Sequence, residues 1–320
     1  MLKTRYFRVY PWGLQLILFL LMILTMSSFG TFLVYSFLPN LTPYTLKHLE
    51  SIGQQSPLQL IYTALVVQGV LSAFIFLIPS WVFSYLTHPE PGQYIGLRKP
   101  GKGIQLLLAI LVMMGAMPLL QGLQELVSLI DFGDNVKASQ EVNERMTLAF
   151  LKMPDFAAFA RAFIVLAIIP AIGEELFFRG VLLRFAKKRS RTLLFPIIFT
   201  SIVFSYTHAN IYGFLSIALA GALLAVIYYL TGSLWCSILA HMSFNGSQII
   251  VSYLNSGSES VKTSTAIENT PWYYIAAGAV IFGASLYLLL KNKTPLPENW
   301  TDDFPPDAPK EGELDLLQKN

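Results

Sequence analysis

The chain has 320 residues, 13% of them charged and 54% hydrophobic, with a mean hydropathy of +0.55. Soluble proteins carry about 25% charged residues, so this composition excludes a disordered chain and argues against a soluble domain. A net charge of +3 gives no footing for nucleic acid as a partner, and the single cysteine, Cys236, permits neither an internal disulfide nor a Cys-based zinc site.

A membrane chain is counted in spans of about 20 apolar residues. Eight apolar segments are predicted, at 12–38, 57–86, 104–130, 161–183, 193–208, 211–231, 233–254 and 271–290. The fold class is therefore all-α, a polytopic transmembrane bundle of about eight helices. The first segment is too long for a signal peptide and no small-x-small cleavage site follows it, so a retained helix is expected. The stretch 131–157 is polar and partly periodic, which suggests an extramembrane helix. The fifth segment is short and contains Pro196. Residues 1–11 read as an N-terminal extension, 12–291 as the transmembrane domain. From about 292 the chain carries five prolines and seven acids, so 292–320 is expected to be a disordered tail.

Basic residues cluster at alternate ends of these segments: Lys3, Arg5 and Arg8; Arg98, Lys99 and Lys102; Arg184, Lys187, Lys188, Arg189 and Arg191; Lys291 and Lys293. The other loops are poor in them, Lys47 and Lys262 each standing alone. The positive-inside rule places both termini in the cytoplasm, with the bacterial cytoplasmic membrane as the expected location. The loop 131–160 fits least well, with Lys137, Arg145 and Lys152. Trp12, Trp81, Trp235 and Trp272 fall near span ends, as an interfacial aromatic belt requires.

An ionisable residue inside a span is costly and marks a functional hypothesis. Span four holds Glu174, Glu175 and Arg179; spans five and seven hold His208 and His241. Glu175 and Arg179 are four apart and can pair on one helix face, which read alone is a structural lock. Glu174 is turned about 100° from Glu175 and is free to face something else. His241 and Asn245, again four apart, offer an imidazole and an amide to one small volume. Measured at 1.5 Å per residue, Glu174 and His241 both lie about 12 Å from the cytoplasmic edge. His208 agrees less well, unless span five is tilted or ends inside the bilayer.

A carboxylate and an imidazole beside one water can make it nucleophilic, and donors aimed at a carbonyl oxygen stabilise the oxyanion that attack creates. The chain lacks a His-Glu-x-x-His zinc motif, an intramembrane Asp and a Gly-x-Ser-Gly element. Ser205 and Ser243, though near the histidines, are expected to bond to their own helix backbone.

Three motifs, Glu174-Glu175-Leu176-Phe177-Phe178-Arg179, Phe204-Ser205-Tyr206-Thr207-His208 and His241-Met242-Ser243-Phe244-Asn245, resemble in order and spacing the CPBP family of intramembrane metalloprotease-like proteins. That family includes the Rce-type CAAX prenyl endopeptidases and the bacterial bacteriocin-processing and immunity proteins of the Abi group. The resemblance covers about 155–255. It implies an intramembrane endopeptidase in which Glu174 is the general base, His208 its partner on the water, and His241 and Asn245 the oxyanion-stabilising pair. Glu175 and Arg179 match the remaining motif positions. No cofactor is expected; zinc is the alternative, although Asn is a poor zinc ligand. The implied partners are the lipid bilayer and a membrane protein or peptide substrate, prenylated or bacteriocin-like. Two other readings stay open: a non-catalytic adaptor or immunity protein on the same scaffold, and a proton-coupled transporter.

Overall fold

The computed structural model describes residues 6–255, 270–298 and 300–301. Lys3, Arg5 and Lys262, which entered the orientation argument, lie outside them. Among the described residues the chain is helical and without strands. The principal helices are α1 (Trp12–Leu41), α2 (Leu58–Thr87), α3 (Ile104–Ser128), α4 (Asp134–Phe150), α5 (Phe156–Lys188), α6 (Leu194–Tyr206), α7 (Phe214–Thr231), α8 (Leu234–Asn255) and α9 (Trp272–Lys291). All eight predicted apolar segments are helices, and the polar stretch supplies α4. Six of them (α1, α2, α3, α5, α7 and α9) are long and apolar enough to cross a membrane. Helix α8 has 22 residues but carries Ser237, His241, Ser243, Asn245, Ser247 and Gln248. The 13 residues of α6 reach only about 20 Å. The chain is a multi-pass integral membrane protein.

Helix α3 is a hub, packed on α7, α8 and α9, while α5 packs on α2, α6 and α8. The α3–α9 contact rests on glycine. A Cβ at Gly278 would come within 2.8 Å of the Gly115 carbonyl oxygen, and one at Gly115 within 2.5 Å of the Phe282 nitrogen. Only hydrogen at both positions lets the backbones meet this closely. Around α5 the core is aromatic, with Phe19, Phe83, Phe178 and Phe185 all buried.

Proline shapes α2 and α5 in the same way. Each contains a five-residue π-helical stretch, Ala73–Leu77 and Ile164–Ile168, followed by Ile-Pro, namely Ile78-Pro79 and Ile169-Pro170. A mid-helix proline removes one N–H and crowds the carbonyl four residues back, and widening the preceding turn relieves that crowding. The π stretch of α2 packs against Ile169–Glu175 of α5. A third π stretch, Leu176–Leu182, follows Glu175 directly and carries Arg179.

The expected tail disorder does not hold for its first residues. Thr294 N donates to Leu230 O at 2.8 Å and Leu296 N to Tyr229 O at 3.0 Å, Thr294 Oγ1 bonds Thr231 O, and Leu296 and Trp300 are buried. Proline and acid content hid two apolar anchors with a core to dock on. Residues 302–320 lie outside the described residues.

Candidate active site

Helices α5 and α8 bring a carboxylate pair and an imidazole together inside the bundle. Glu175 is fully buried and accepts from Arg179 Nη1 at 2.6 Å, the expected pairing one helical turn apart. The same carboxylate accepts from Ser237 Oγ and lies 3.0 Å from His241 Nδ1. A carboxylate held by a guanidinium is an acceptor, so His241 Nδ1 carries the hydrogen and Nε2 faces the other way. There Nε2 lies 3.9 Å from Glu174 Oε2. The 100° between neighbouring helix residues thus sets the two carboxylates at opposite edges of one imidazole. Glu174 Oε2 is buried and has no hydrogen-bond partner, in a site where such groups are usually satisfied.

Arg179 joins a third helix. Its Nη2 donates to Gly221 O of α7 at 2.6 Å, and its guanidinium lies 4.9 Å from the Phe204 ring centroid. Breaking a buried ion pair by removing one partner costs about 3–5 kcal/mol, so this contact fixes Glu175 and, through it, the ring of His241.

His208 is placed differently. Helix α6 ends at Tyr206, inside the span predicted to reach 208, and His208 lies in the turn beyond, exposed. Its Nδ1 donates to Phe204 O at 2.8 Å, which leaves Nε2 as an acceptor. The next residue, Ala209, has φ +48°, a left-handed conformation costing an L-residue about 1–2 kcal/mol. Phe204 lies between the two histidines, its ring centroid 4.7 Å from that of His208 and 5.9 Å from that of His241. No direct contact joins His208 to Glu174 among those described.

Asn245 is half-buried one turn beyond His241. Its Nδ2 donates to Leu166 O at 3.3 Å, the carbonyl that lost its α-helical donor to Pro170. One amide hydrogen thus serves a carbonyl within the π stretch of α5 and the second is left for another acceptor. Ser243 bonds Leu239 O of its own helix as expected, whereas Ser205 donates to Phe214 O of α7 instead. Ser237 was not singled out from sequence, and Gly221 only as one of a run of small residues that permits close helix packing. Ser237 had a signal: it precedes His241 by four and shares its face.

Among the described residues, no group of three or more His, Cys, Asp or Glu is arranged to hold a metal ion. Glu175 is already committed to Arg179, Ser237 and His241, so a cation there would have to displace a guanidinium.

The fold and the cluster define a polytopic helical membrane protein with an intramembrane carboxylate–imidazole site. The sequence model of the family described as type II CAAX prenyl endopeptidase Rce1-like matches residues 156–247. That range runs from the start of α5 into α8 and carries all three motifs, so the resemblance to the CPBP proteins stands for this segment. The Rce1-like family is a protease family, and the chain is similar to it over this segment. No curated protein and no solved structure matches the chain.

Proposed function

We propose that the chain is an intramembrane endopeptidase that cleaves a peptide bond with water activated by Glu174. The observation that carries this reading is the 3.9 Å separation of the unpartnered Glu174 Oε2 from His241 Nε2. That is too long for a direct hydrogen bond and suits a bridging water. In the proposed reaction the water oxygen attacks the carbonyl carbon and its proton passes to Glu174 Oε2. The oxyanion is stabilised by His241, protonated at both nitrogens, and by the second amide hydrogen of Asn245. Glu174 then returns the proton to the leaving nitrogen, the C–N bond breaks, and an acid and an amine result. Glu175, Arg179 and Ser237 orient His241 as a carboxylate orients the histidine of a hydrolytic triad. His208, exposed and next to the site across Phe204, is a further contact of the water in this scheme, beside Glu174 and His241. No metal is required by it.

The substrate we propose is a membrane-anchored polypeptide. A prenylated C-terminal peptide follows from the family description, and a bacteriocin-like peptide is the alternative. Both termini are proposed to lie in the cytoplasm, a reading supported by the basic residues after α2, α5 and α9. The test is comparative membrane proteomics of a deletion strain complemented with the wild-type chain or with Glu174→Ala. A cleavage product present only with wild type is the expected result. A phenotype fully restored by Glu174→Ala, with no such product, would favour the adaptor or immunity reading.

A further inference from the structure

We propose that the groove between α1 and α2 binds one acyl chain of an anionic phospholipid, whose phosphate is held by Arg161 at the groove's mouth. The groove measures about 650 Å³. Its walls include Val34, Phe37 and Leu41 of α1 and Val66, Val70 and Phe74 of α2, with no charged group among its described lining residues. It shares no residue with the Glu174–His241 cluster and does not depend on the protease reading.

The groove has a closed apolar end and a polar mouth. It is closed where α1 meets the π stretch of α2. There a Cβ at Gly30 would come within 2.7 Å of Phe74, and Phe29 meets the Phe74 ring edge-on at 5.9 Å. From Phe74 back to Gln59 at the mouth is about 22 Å along α2, longer than one leaflet of a ~30 Å hydrocarbon core. A chain lying in it therefore runs from headgroup depth towards the midplane without leaving hydrocarbon. An unfilled gap forfeits the dispersion contacts of both walls, and lipid tails are the molecules at hand to fill it.

The mouth selects the headgroup. Tyr62 lines it, and the guanidinium of Arg161 lies 4.0 Å over the Tyr62 ring centroid. Arg161 is exposed, and among the described residues no carboxylate pairs with it. Asp155, six residues before it on α5, is turned away to cap that helix at Ala158 N. An aromatic face holds a guanidinium flat while its edge stays open to paired hydrogen bonds, the geometry in which arginine takes a phosphate. Gln59, exposed and three residues before Tyr62, brings an amide donor to the same face. Lys152, bonded to the carbonyls of Gln54 and Ser56 just before α2, adds positive charge at this end. Arg161 and Tyr62 stand about 8 and 6 Å inside the starts of α5 and α2, the interfacial depth at which tyrosine and snorkelling arginine collect. One lipid so bound joins α1, α2 and α5.

The experiment uses the full-length protein, delipidated in neutral detergent. Lipid retention by native mass spectrometry and Tm are followed with phosphatidylglycerol, with phosphatidylcholine of the same acyl chains and with inorganic phosphate alone. Phosphatidylglycerol should be retained more tightly than phosphatidylcholine and should raise Tm. Arg161→Gln should erase that preference, weakening phosphatidylglycerol by about tenfold, the worth of one hydrogen bond to a charged group. Arg161→Lys, which keeps the charge but not the paired bonds, should fall between. Val66→Trp, at an exposed position on the groove wall, should fill the groove and weaken both lipids alike. The proposal is overturned if wild type retains the two lipids equally, if the preference survives Arg161→Gln, or if Val66→Trp changes nothing. Protection by inorganic phosphate equal to that by phosphatidylglycerol would also overturn it, because the acyl chain would then contribute nothing.

Discussion

The α5–α8 and α3–α9 contacts solve one problem by opposite means. In a bilayer, lipid tails are as apolar as leucine, so helices gain little from hydrophobic burial against each other and must be joined by packing or by polar bonds. The α3–α9 pair uses packing along its middle, where Gly115 and Gly278 let two backbones meet, and keeps its polar bonds, Glu125 with Thr270 and Gln105 with Asn292, to the two ends. The α5–α8 pair instead carries a buried Glu175–Arg179 pair, a serine and an imidazole. Charges are a poor way to join helices, because their desolvation offsets most of the attraction. Their concentration in the middle of one contact, while its neighbour keeps polar bonds to its ends, points to chemistry as the reason for them.

Substitutions can break this contrast. Arg179→Leu takes the guanidinium from Glu175 and leaves it only Ser237 and His241, which should cost about 3–5 kcal/mol, with cleavage lost even in the folded fraction; unfolding in a denaturing detergent series gives the first number and an activity assay the second. Ser237→Ala removes one donor from Glu175 and should cost about 1.5–3 kcal/mol. Because it acts through His241, its pH–rate profile should shift, whereas a purely structural serine would leave the profile in place. Gly278→Ala pushes a methyl at the Gly115 carbonyl and should cost about 1–3 kcal/mol, with the rate per folded molecule unchanged. A rate that fell with Gly278→Ala in proportion to Arg179→Leu would erase the distinction between the two contacts.

The smallest effect lies outside the membrane. Asp131 accepts from Gly133 N at 2.8 Å and from Lys137 Nζ at 3.0 Å, which together hold its carboxyl below the ordinary value. A group depressed on folding stabilises above its unfolded pKa and loses that contribution as pH falls through the folded one. The start of α4 should therefore fray slightly below about pH 4, as hydrogen exchange at Val136 and Lys137 would detect. Asp131→Asn should remove the dependence. So exposed a pair contributes little.

Much of the frame was legible because apolar length and helical spacing are local properties. All eight apolar helices, the α4 helix and the Glu175–Arg179 pair follow from runs of residues and from the i,i+4 rule. What escaped depends on rotation between distant segments. His241 takes both carboxylates because α8 presents it to α5 across 66 residues, and no spacing encodes that approach. Pro79 and Pro170 were not singled out from sequence, and neither was the π register that precedes each of them. Leu296 and Trp300 were masked by the prolines and acids around them, although a tryptophan in so polar a tail was a sign of docking. Ser237 needed only the rule already applied to Asn245.

The central claim is that Glu174 activates the water while Glu175 holds the imidazole. Its most direct test is single-turnover cleavage, in lipid vesicles, of the substrate that the proteomic comparison identifies. Wild type is compared with Glu174→Ala, whose folding is verified by an unchanged Tm. The account predicts a rate lowered by about 10²–10⁴-fold or more, with substrate still bound. Cleavage by folded Glu174→Ala at the wild-type rate would contradict it.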